Sequence, residues 1–410
     1  MRTGLALRRR PDQNERMLPL LTGIRILDLT TVVLGPYATQ MLGDLGADVI
    51  KVEPLAGDVF RAARPGRSAR MGAHFLNCNR NKRSLAIDLA RAEGREVLHR
   101  LVPAVDVVVH NMRPKSAAKL GLGFEQLRAL HSTLIYCYSS GFGQGGRLAD
   151  EPAYDDTIQA VSGFAWLNAA EGAPRFLPTI VADKVAGLHL AVAVLAALAS
   201  DRRGKEAICI EAPMFESMVS FLLVEQLAGR SFDPPLGPTG YHRLMSPHRK
   251  PYRTKDGFLA IIPYTGAHWQ RFLDLIGRSD LADDPRVTDS VERSHHIDML
   301  YALIEEAAPE RTTAEWLTEL RARDIPCAEV NRTEDLLDHP HLVDVGMFRH
   351  VAHPEEGPIV SVRSPFSGDG EAEDVLAPEL GADTREVLRE AGFDTEAIEA
   401  LLSAGVVAGD

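Results

Sequence analysis

The alternation of short strand-like runs with longer helical stretches constrains the fold of this chain more than any other feature. After Leu18, GIRILDL is typical of a strand, GPYATQMLGDLGA of a helix and DVIKVEP of a second strand. The same order returns in KRSLAIDL, AEGREVLHRLVPA and DVVVHN, and again in FEQLRALH and LIYCYSSGFG. Strands that alternate with helices form parallel sheets with helices on their faces. The sequence therefore predicts a Rossmann-like α/β domain with a mostly parallel sheet.

A boundary follows this first region. The alternation closes with AICIEAP and the helical MFESMVSFLLVEQLAG, and the Pro- and Gly-rich residues 232–243 then break the pattern. A second, α+β unit begins at PYRTKDGFLAIIPY, where Asp256 and Gly257 indicate a hairpin. A length of 410 residues also favours two domains. We predict an N-terminal extension (1–17), a large Rossmann-like domain (18–225), a small α+β domain (226–340) and a C-terminal segment (341–410).

Charge and cysteine usage narrow the function classes. A formal net charge of -12 argues against nucleic acid or an anionic membrane surface as the main partner and favours small molecules. The four cysteines are widely spaced without a C-x-x-C pair, which fits a reducing cytoplasm. No segment is judged long and apolar enough to span a bilayer. The histidine pairs HH and HPH lack partners at metal-ligand spacing, so we predict no metal.

The stretch TIVADKVAGLHLAVAVLAAL places Asp183 at the start of an apolar helix. The sequence by itself favours a structural N-cap, because a carboxylate accepts hydrogen bonds from free first-turn N–H groups. The alternative uses the same donors, which keep the carboxylate ionised and available as a nucleophile. From Val185 to Ala199 only His189 is clearly polar, so we expect both helix faces to lie against protein and His189 to be a core or interface residue.

Three further stretches invite a ligand. GFGQGG, residues 141–146, lacks the spacing of a nucleotide motif and favours a turn that brings N–H groups near a ligand. The two adjacent acids of EPAYDD, Asp155 and Asp156, are typical of a helix cap and a first-turn charge. Basic residues in NRNKRS (79–84) and HNMRPKSAAKLGLG (110–123) are either solvated surface charges or phosphate partners at strand ends.

Taken in order, six segments resemble the class III CoA-transferase family, which includes formyl-CoA transferase, carnitine CoA-transferase and α-methylacyl-CoA racemase. They are GIRILDLTTVVLGPYATQMLGDLGADVIKVEP, NRNKRSLAIDL, HNMRPKSAAKLGLG, LIYCYSSGFGQGG, PAYDDTIQAVSG and VADKVAG. The resemblance implies that the C-terminal segment returns to the large domain. It also implies an interlocked homodimer of ring-like subunits.

The resemblance assigns the nucleophile. In the transferases of this family the aspartate of the x-x-D-x-x-x-G segment attacks the substrate, and here that segment is VADKVAG, which makes Asp183 the nucleophile. By this analogy Asp183 attacks an acyl-CoA thioester, forms an acyl-aspartyl anhydride and releases CoA thiolate, which re-attacks as the carboxylates exchange. The implied partners are acyl-CoA and carboxylic acids, and coenzyme A enters as the substrate's carrier group.

The resemblance also assigns positions that bind CoA. Val32 and Val33, before GPY, match backbone contacts to the nucleotide part of CoA. Asn111 and Met112 match the N-F pair of the usual E-N-F-R-P-G, with methionine in place of phenylalanine. Lys119 stands where the family has a basic residue that pairs with phosphate. No segment clearly matches the glycine-rich loop that covers the intermediate in formyl-CoA transferase.

Tyr154 separates two branches of the family. The racemase branch has histidine here, paired with the aspartate that matches Asp183, whereas a phenol with a reference pKa of about 10 is a poor base at neutral pH. We therefore expect an acyl-CoA:carboxylate CoA-transferase with Asp183 and Tyr154 in its active site. An acyl-CoA racemase or epimerase and a non-catalytic CoA-binding protein remain alternatives. Dicarboxylates such as succinate are the expected donor class, with Arg175, Arg243 or Arg249 as partner of the distal carboxylate.

Overall fold

The computed structural model of the protein describes residues 18–169, 172–368 and 375–409. The predicted N-terminal extension, residues 1–17, lies outside the described residues. Contacts between Cα atoms divide the chain into two units. The first holds the described residues up to Leu222 and from Gly346 onward, and the second is Leu223–Val345. The predicted limits of the small domain, 226 and 340, lie near the limits of the second unit.

Strands in the described residues belong to three sheets. They are β1 (Arg25–Leu29), β2 (Asp48–Glu53), β3 (Lys82–Ile87), β4 (Val107–His110), β5 (Ile135–Tyr138), β6 (Ile208–Glu211), β7 (Tyr252–Arg253), β8 (Phe258–Ile261), β9 (Cys327–Glu329), β10 (Phe348–His353), β11 (Gly357–Val362) and β12 (Val407–Ala408).

The α-helices in the described residues connect and cover these strands. They are α1 (Leu34–Asp44), α2 (Ala73–Cys78), α3 (Ala92–Leu101), α4 (Pro114–Lys119), α5 (Phe124–Leu130), α6 (Asp155–Val161), α7 (Phe164–Leu167), α8 (Val181–Ala199), α9 (Met214–Gln226), α10 (His242–Met245), α11 (Gly266–Leu275), α12 (Pro285–Thr288), α13 (Ser290–His295), α14 (Ile297–Ala307), α15 (Thr313–Ala322), α16 (Pro340–Asp344), α17 (Thr384–Glu390) and α18 (Thr395–Ser403).

The main sheet of the first unit confirms the predicted Rossmann-like α/β class. Its strand order is β12-β3-β2-β1-β4-β5-β6, and β1 to β6 run parallel to one another. The chain fills one side of β1 with β2 and β3 and then crosses to β4 on the other side. The order therefore reverses between β1 and β4, and ligands of open α/β sheets bind beyond the carboxyl ends of the strands at such a point.

Alternate residues along each strand point to opposite faces of this sheet, and each face packs in its own hydrophobic core. Ile26 packs in a core that includes residues of α1 and α8, whereas Leu27 packs in a core with α3 and α5. The C-terminal helices α17 and α18 contribute Leu388 and Ile398 to the second of these cores. Strand β12 pairs antiparallel with β3, so the C-terminal segment completes the sheet.

The second unit has its own sheet and core. β7 and β8 pair antiparallel around the predicted Asp256–Gly257 turn, and β9 pairs antiparallel with β8. Trp269, Phe272 and Trp316 are buried in the core beneath this sheet. This α+β organisation is the one predicted for the region.

Helix α8 corrects three expectations: that both of its faces are covered, that His189 lies in the core, and that no segment is long and apolar enough to span a bilayer. One face of α8 is exposed, with Leu188 46% and Val192 63% accessible, and His189 is also exposed, so the helix is not covered on both faces in this chain and His189 is not a core residue. Val181–Ala199 also has a mean hydropathy of 1.8 and is long and apolar enough, by length and composition only, to cross a membrane. The core helices of soluble proteins meet the same criterion, and half of this apolar stretch of α8 is buried.

Candidate active site

The N-terminus of α8 is capped by Asp155 and not by Asp183. The helix begins at Val181, so Asp183 lies inside its first turn. Asp155 Oδ2 accepts hydrogen bonds from the backbone N–H groups of Ala182 at 2.8 Å and Asp183 at 3.1 Å. These are the free donors that a cap normally satisfies. The N-cap predicted for Asp183 is therefore wrong, because a carboxylate from another helix fills that role.

Asp155 is itself held in place by Gln159 on the next turn of α6. Gln159 Nε2 donates to Asp155 Oδ1 at 2.6 Å, and Gln159 Oε1 accepts from the Leu177 N–H at 2.9 Å. Both side chains are buried. The pair therefore ties α6 to the start of α8 and to the segment that leads into it.

Asp183 is a partly buried carboxylate next to a second carboxylate. Burial, together with the negative charge of Asp155, raises the pKa of Asp183 from its ordinary 3.8 to about 7. No Lys, Arg or His nitrogen of the described residues lies within 4.0 Å of either carboxylate. The first-turn N–H donors that were expected to keep Asp183 ionised are instead bonded to Asp155.

Gly187 sets how closely α8 approaches α1. A Cβ at Gly187 would lie 2.6 Å from the carbonyl oxygen of Leu34, the first residue of α1, so any side chain would push the helices apart. Asp183 is one turn before Gly187 on the same side of α8. The close approach therefore places the start of α8 beside the residues that follow β1.

The predicted CoA positions after β1 and β4 lie together at the reversal of strand order. Asn111 Oδ1 accepts from the Thr31 N–H at 3.0 Å, and Asn111 Nδ2 donates to the Thr31 carbonyl at 2.9 Å. The two bonds join the loop after β1, which carries Val32 and Val33, to the loop after β4. Their role in binding CoA stays a prediction.

The backbone of Val32 is strained and is held by a hydrogen bond to a buried carboxylate. Val32 has φ 71°, a left-handed conformation that a β-branched residue rarely adopts. Its N–H donates to the carboxylate of Asp58, at 3.2 Å from Oδ2. Asp58 is buried and forms an ion pair with Lys51 Nζ at 3.0 Å. A buried ion pair thus holds this loop in one conformation.

Buried lysines on β2 and β3 make further contacts with the end of β1 and the loop after it. Lys51 Nζ also donates to the carbonyl of Thr30, and Lys82 Nζ pairs with Asp28 Oδ2 at 3.0 Å. Burial would raise the pKa of Asp28, but Lys82, Lys51 and the hydroxyl groups of Thr30 and Thr39 lower it to about 2. Asp28 is therefore fully ionised at neutral pH.

Met112, Lys119 and Tyr154 are placed less firmly. The Met112 N–H donates to His110 Nδ1 at 3.1 Å, and the Met112 side chain packs against a core. Lys119 ends α4 and is exposed, without an ion pair to any described residue. Tyr154 precedes Asp155, but its side chain is 75% accessible and forms no hydrogen bond with Asp183.

Two expectations about phosphate-binding stretches are not met. The N–H groups of Gly143 and Gln144 in GFGQGG donate to the carboxylates of Glu216 and Glu211, so they are already engaged. In NRNKRS, three basic side chains are buried in ion pairs with acids of the first unit: Arg80 with Asp44, Lys82 with Asp28, and Arg83 with Asp48 and Glu390. These three side chains are therefore not solvated surface charges, and their ion pairs join residues of the sheet and the helices next to it.

Sequence reasoning missed three residues that shape the site. Asp155 was expected to cap its own helix, and Asp58 and His110 carried no expectation. His110 stacks on Tyr138, bonds Tyr136 through Nε2 at 2.6 Å, and burial lowers its pKa to about 4, so it is neutral. Nothing local in the sequence marks these contacts, because each one joins elements that are far apart in the chain.

The remaining ligand candidates are divided between the two units. Arg175 is exposed in the first unit, whereas Arg243 and Arg249 belong to the second. Within the described residues, no three His, Cys, Asp or Glu side chains are grouped so that they could hold a metal ion.

Comparison with known proteins gives a consistent result. A sequence model of CoA-transferase family III matches residues 21–384. The succinyl-CoA:glutarate CoA-transferase of Homo sapiens is 30% identical over 407 residues, covering 97% of this chain and 92% of that protein. The succinate–glutarate CoA-transferase of Agrobacterium fabrum is 33% identical over 362 residues, covering 85% and 89%. The crystal structure of a CAIB/BAIF family protein from Brucella suis is similar with a TM-score of 0.75 and 29% identity, covering 90% of this chain and 99% of that chain.

Proposed function

Because this chain belongs to CoA-transferase family III and is a CoA-transferase, we propose that it moves CoA between carboxylic acids through an anhydride on Asp183. One observation carries the proposal. Asp183 is a partly buried carboxylate without a cation partner among the described residues, next to a second carboxylate, and its pKa is raised to about 7. Carboxylates that are kept reactive in this way cluster at functional sites.

The first half of the reaction transfers the acyl group to the protein. An ionised oxygen of Asp183 attacks the thioester carbonyl of the donor acyl-CoA, the C–S bond breaks, and CoA leaves as the thiolate. The thiolate then attacks the side-chain carbonyl of Asp183, which releases the donor acid and leaves an aspartyl-CoA thioester. Thioester and anhydride are both activated, so covalent catalysis divides the exchange into feasible steps.

The second half reverses these steps with the acceptor acid. The acceptor carboxylate attacks the aspartyl thioester, which forms a new anhydride and frees the thiolate again. The thiolate attacks the acyl carbonyl of the acceptor, which yields acceptor-CoA and restores Asp183. A bound CoA moiety keeps the thiolate near the anhydride between these steps.

The loops after β1 and β4 are the proposed site for the nucleotide part of CoA. The Val32 carbonyl, the backbone of Val33 and the side chain of Lys119 supply polar groups there, Asn111 orients the loop after β1 through its two bonds to Thr31, and Met112 supplies an apolar contact. Support comes from the reversal of strand order between β1 and β4, from the Asn111–Thr31 hydrogen bonds and from the Asp58–Lys51 pair beneath Val32.

Dicarboxylic acids are the proposed substrate class. The two relatives named above act, by their names, on succinate or succinyl-CoA and glutarate. We further propose that the protein works as a homodimer in the cytoplasm, with Tyr154 exposed on the side of Asp155 that faces the substrate.

Two isotope measurements test the function. Incubation of the protein with succinyl-CoA and labelled glutarate in deuterium oxide is expected to give labelled glutaryl-CoA with no deuterium at the α-carbon. Deuterium at the α-carbon without any exchange of CoA would instead identify an acyl-CoA racemase or epimerase. The absence of both reactions would contradict the proposal for this pair of acids.

A further inference from the structure

A cavity in the second unit is lined by basic and aromatic side chains. Its volume is about 400 Å³, within the range of small-molecule sites. The side chains that matter for its chemistry are those of Arg243, Arg249, Lys250, Tyr252, Tyr264 and Tyr301. Pro251 and Ile261 add apolar carbon to the lining. The cavity therefore combines positive charge with a surface that suits a short carbon chain.

Arg243 is oriented by two tyrosines. Its Nε donates to the hydroxyl oxygen of Tyr301 at 2.7 Å, and its guanidinium carbon lies 4.6 Å from the ring centre of Tyr264. Its terminal nitrogens Nη1 and Nη2 have no hydrogen-bond partner among the described residues. A fixed guanidinium with both terminal nitrogens open is suited to bind a carboxylate through two parallel hydrogen bonds.

Neighbouring acids neutralise only part of the positive charge of the cavity. Glu305 pairs with Lys250 at 2.6 Å and contacts His248 at 2.7 Å. Neither Arg243 nor Arg249 has an acidic partner within 4.0 Å among the described residues of the chain. Two unpaired guanidinium groups in a protein with a formal net charge of -12 mark a place that selects anions.

We propose that this cavity is a binding site for a short-chain dicarboxylate. Arg243 takes one carboxylate in a bidentate contact, Arg249 supplies charge for the other, and the tyrosine rings with Pro251 and Ile261 cover the carbons between them. The inference rests on the proposed function, in which carboxylic acids are substrates and products. It concerns equilibrium binding, however, and uses no property of Asp183.

Titration calorimetry of the full-length protein with glutarate tests this site. We expect glutarate to bind, and its neutral isostere glutaramide to give no detectable heat. Arg243→Gln is expected to weaken glutarate binding by about 10-fold to 100-fold, the size of a lost charged hydrogen bond. Arg243→Lys should lie between wild type and Arg243→Gln, because it keeps the charge but loses the planar fork.

The control variant is Arg253→Gln, which removes an equal charge at an exposed position that does not line the cavity and should leave binding unchanged. Absence of glutarate binding, or equal binding by Arg243→Gln and Arg253→Gln, would overturn the proposal. So would a change of oligomeric state in Arg243→Gln with unchanged glutarate binding, because the cavity would then be a protein interface. Glutarate binding by a protein that transfers no CoA would contradict the proposed function alone.

Discussion

Two groups of buried or partly buried carboxylates in the first unit have opposite surroundings. Asp28 and Asp58, beneath the loop after β1, each form an ion pair with a buried lysine. Asp155 and Asp183, at the start of α8, lie beside each other with no cation within 4.0 Å among the described residues. The pKa of Asp28 falls to about 2, whereas that of Asp183 rises to about 7. The charge partner, more than burial, decides which carboxylate supports the fold and which is available for chemistry.

Removal of the Asp183 carboxylate should have the largest effect on activity. Asp183→Asn keeps the size of the side chain but removes the proposed nucleophile, so CoA transfer is expected to fall by at least about 10³-fold. Steady-state assays of labelled acid exchange measure this loss. Asp201→Asn, an exposed aspartate just beyond α8, is the matched control and should retain full activity. Transfer above a tenth of the wild-type rate in Asp183→Asn would rule out the anhydride route.

Breaking a paired carboxylate should instead lower stability. Lys51→Met leaves Asp58 buried without its ammonium partner, at a cost of about 3–5 kcal/mol in the free energy of unfolding. Guanidinium unfolding measures this change. Lys115→Met removes an exposed lysine that pairs with exposed Asp150, so it should cost less than about 1 kcal/mol. Equal costs for the two variants would show that the buried pair does not support this region.

The two groups should also give stability changes of opposite sign with pH. Asp183 binds its proton more tightly in the folded protein, so its contribution is full below about pH 4 and is lost as pH rises through about 7. Asp28 has a lowered pKa, so its contribution is present above about pH 4 and is lost as pH falls through about 2.

The Asp183→Asn variant isolates the first of these terms. Its unfolding free energy relative to wild type should rise by up to about 4 kcal/mol between pH 4 and pH 8, because only the wild type bears the cost of ionising Asp183. Chemical unfolding over this pH range measures the difference. A difference that does not change with pH would mean that Asp183 titrates normally in the folded protein.

The smallest expected effect concerns the neighbour of Asp183. The kcat/KM of the wild type should rise with pH through an apparent pKa near 7, because the proposed nucleophile is the ionised carboxylate of Asp183. Asp155→Asn keeps an oxygen that accepts the N–H bonds at α8 but removes the negative charge. It should lower the apparent pKa by about 1 unit. Asp156→Asn, on the exposed side of α6, should leave the profile unchanged, and equal profiles for all three proteins would contradict this role of Asp155.

Local periodicity predicted the part of the fold that depends on local pattern. The βα alternation gave the parallel sheet, and Asp256–Gly257 gave the β7–β8 hairpin. The exposed face of α8 was not predicted, because a continuous apolar run does not show which side is covered. The burial of Lys82 in NRNKRS was not predicted either, because its partner Asp28 is 54 residues away in the chain.

The candidate site also combines residues that motifs identify with contacts that only the folded structure shows. Asp183, Val32 and Asn111 were singled out from motifs, whereas the capping of α8 by Asp155 depends on a contact between two helices. The role of Gly187 as the point of close approach to Leu34 became visible only from packing. The family motifs thus named the proposed reacting groups, and the tertiary contacts showed which charges and hydrogen bonds surround them.

We propose that Asp183 becomes acylated because it lies beside a second carboxylate and has no cation partner within 4.0 Å among the described residues. Peptide mass spectrometry after incubation with succinyl-CoA and trapping with hydroxylamine tests it most directly. We expect a hydroxamate on Asp183 and none on Asp28, Asp58 or Asp155, with no modification in Asp183→Asn. A hydroxamate at a different carboxylate, or CoA transfer that proceeds with no trapped residue, would contradict it.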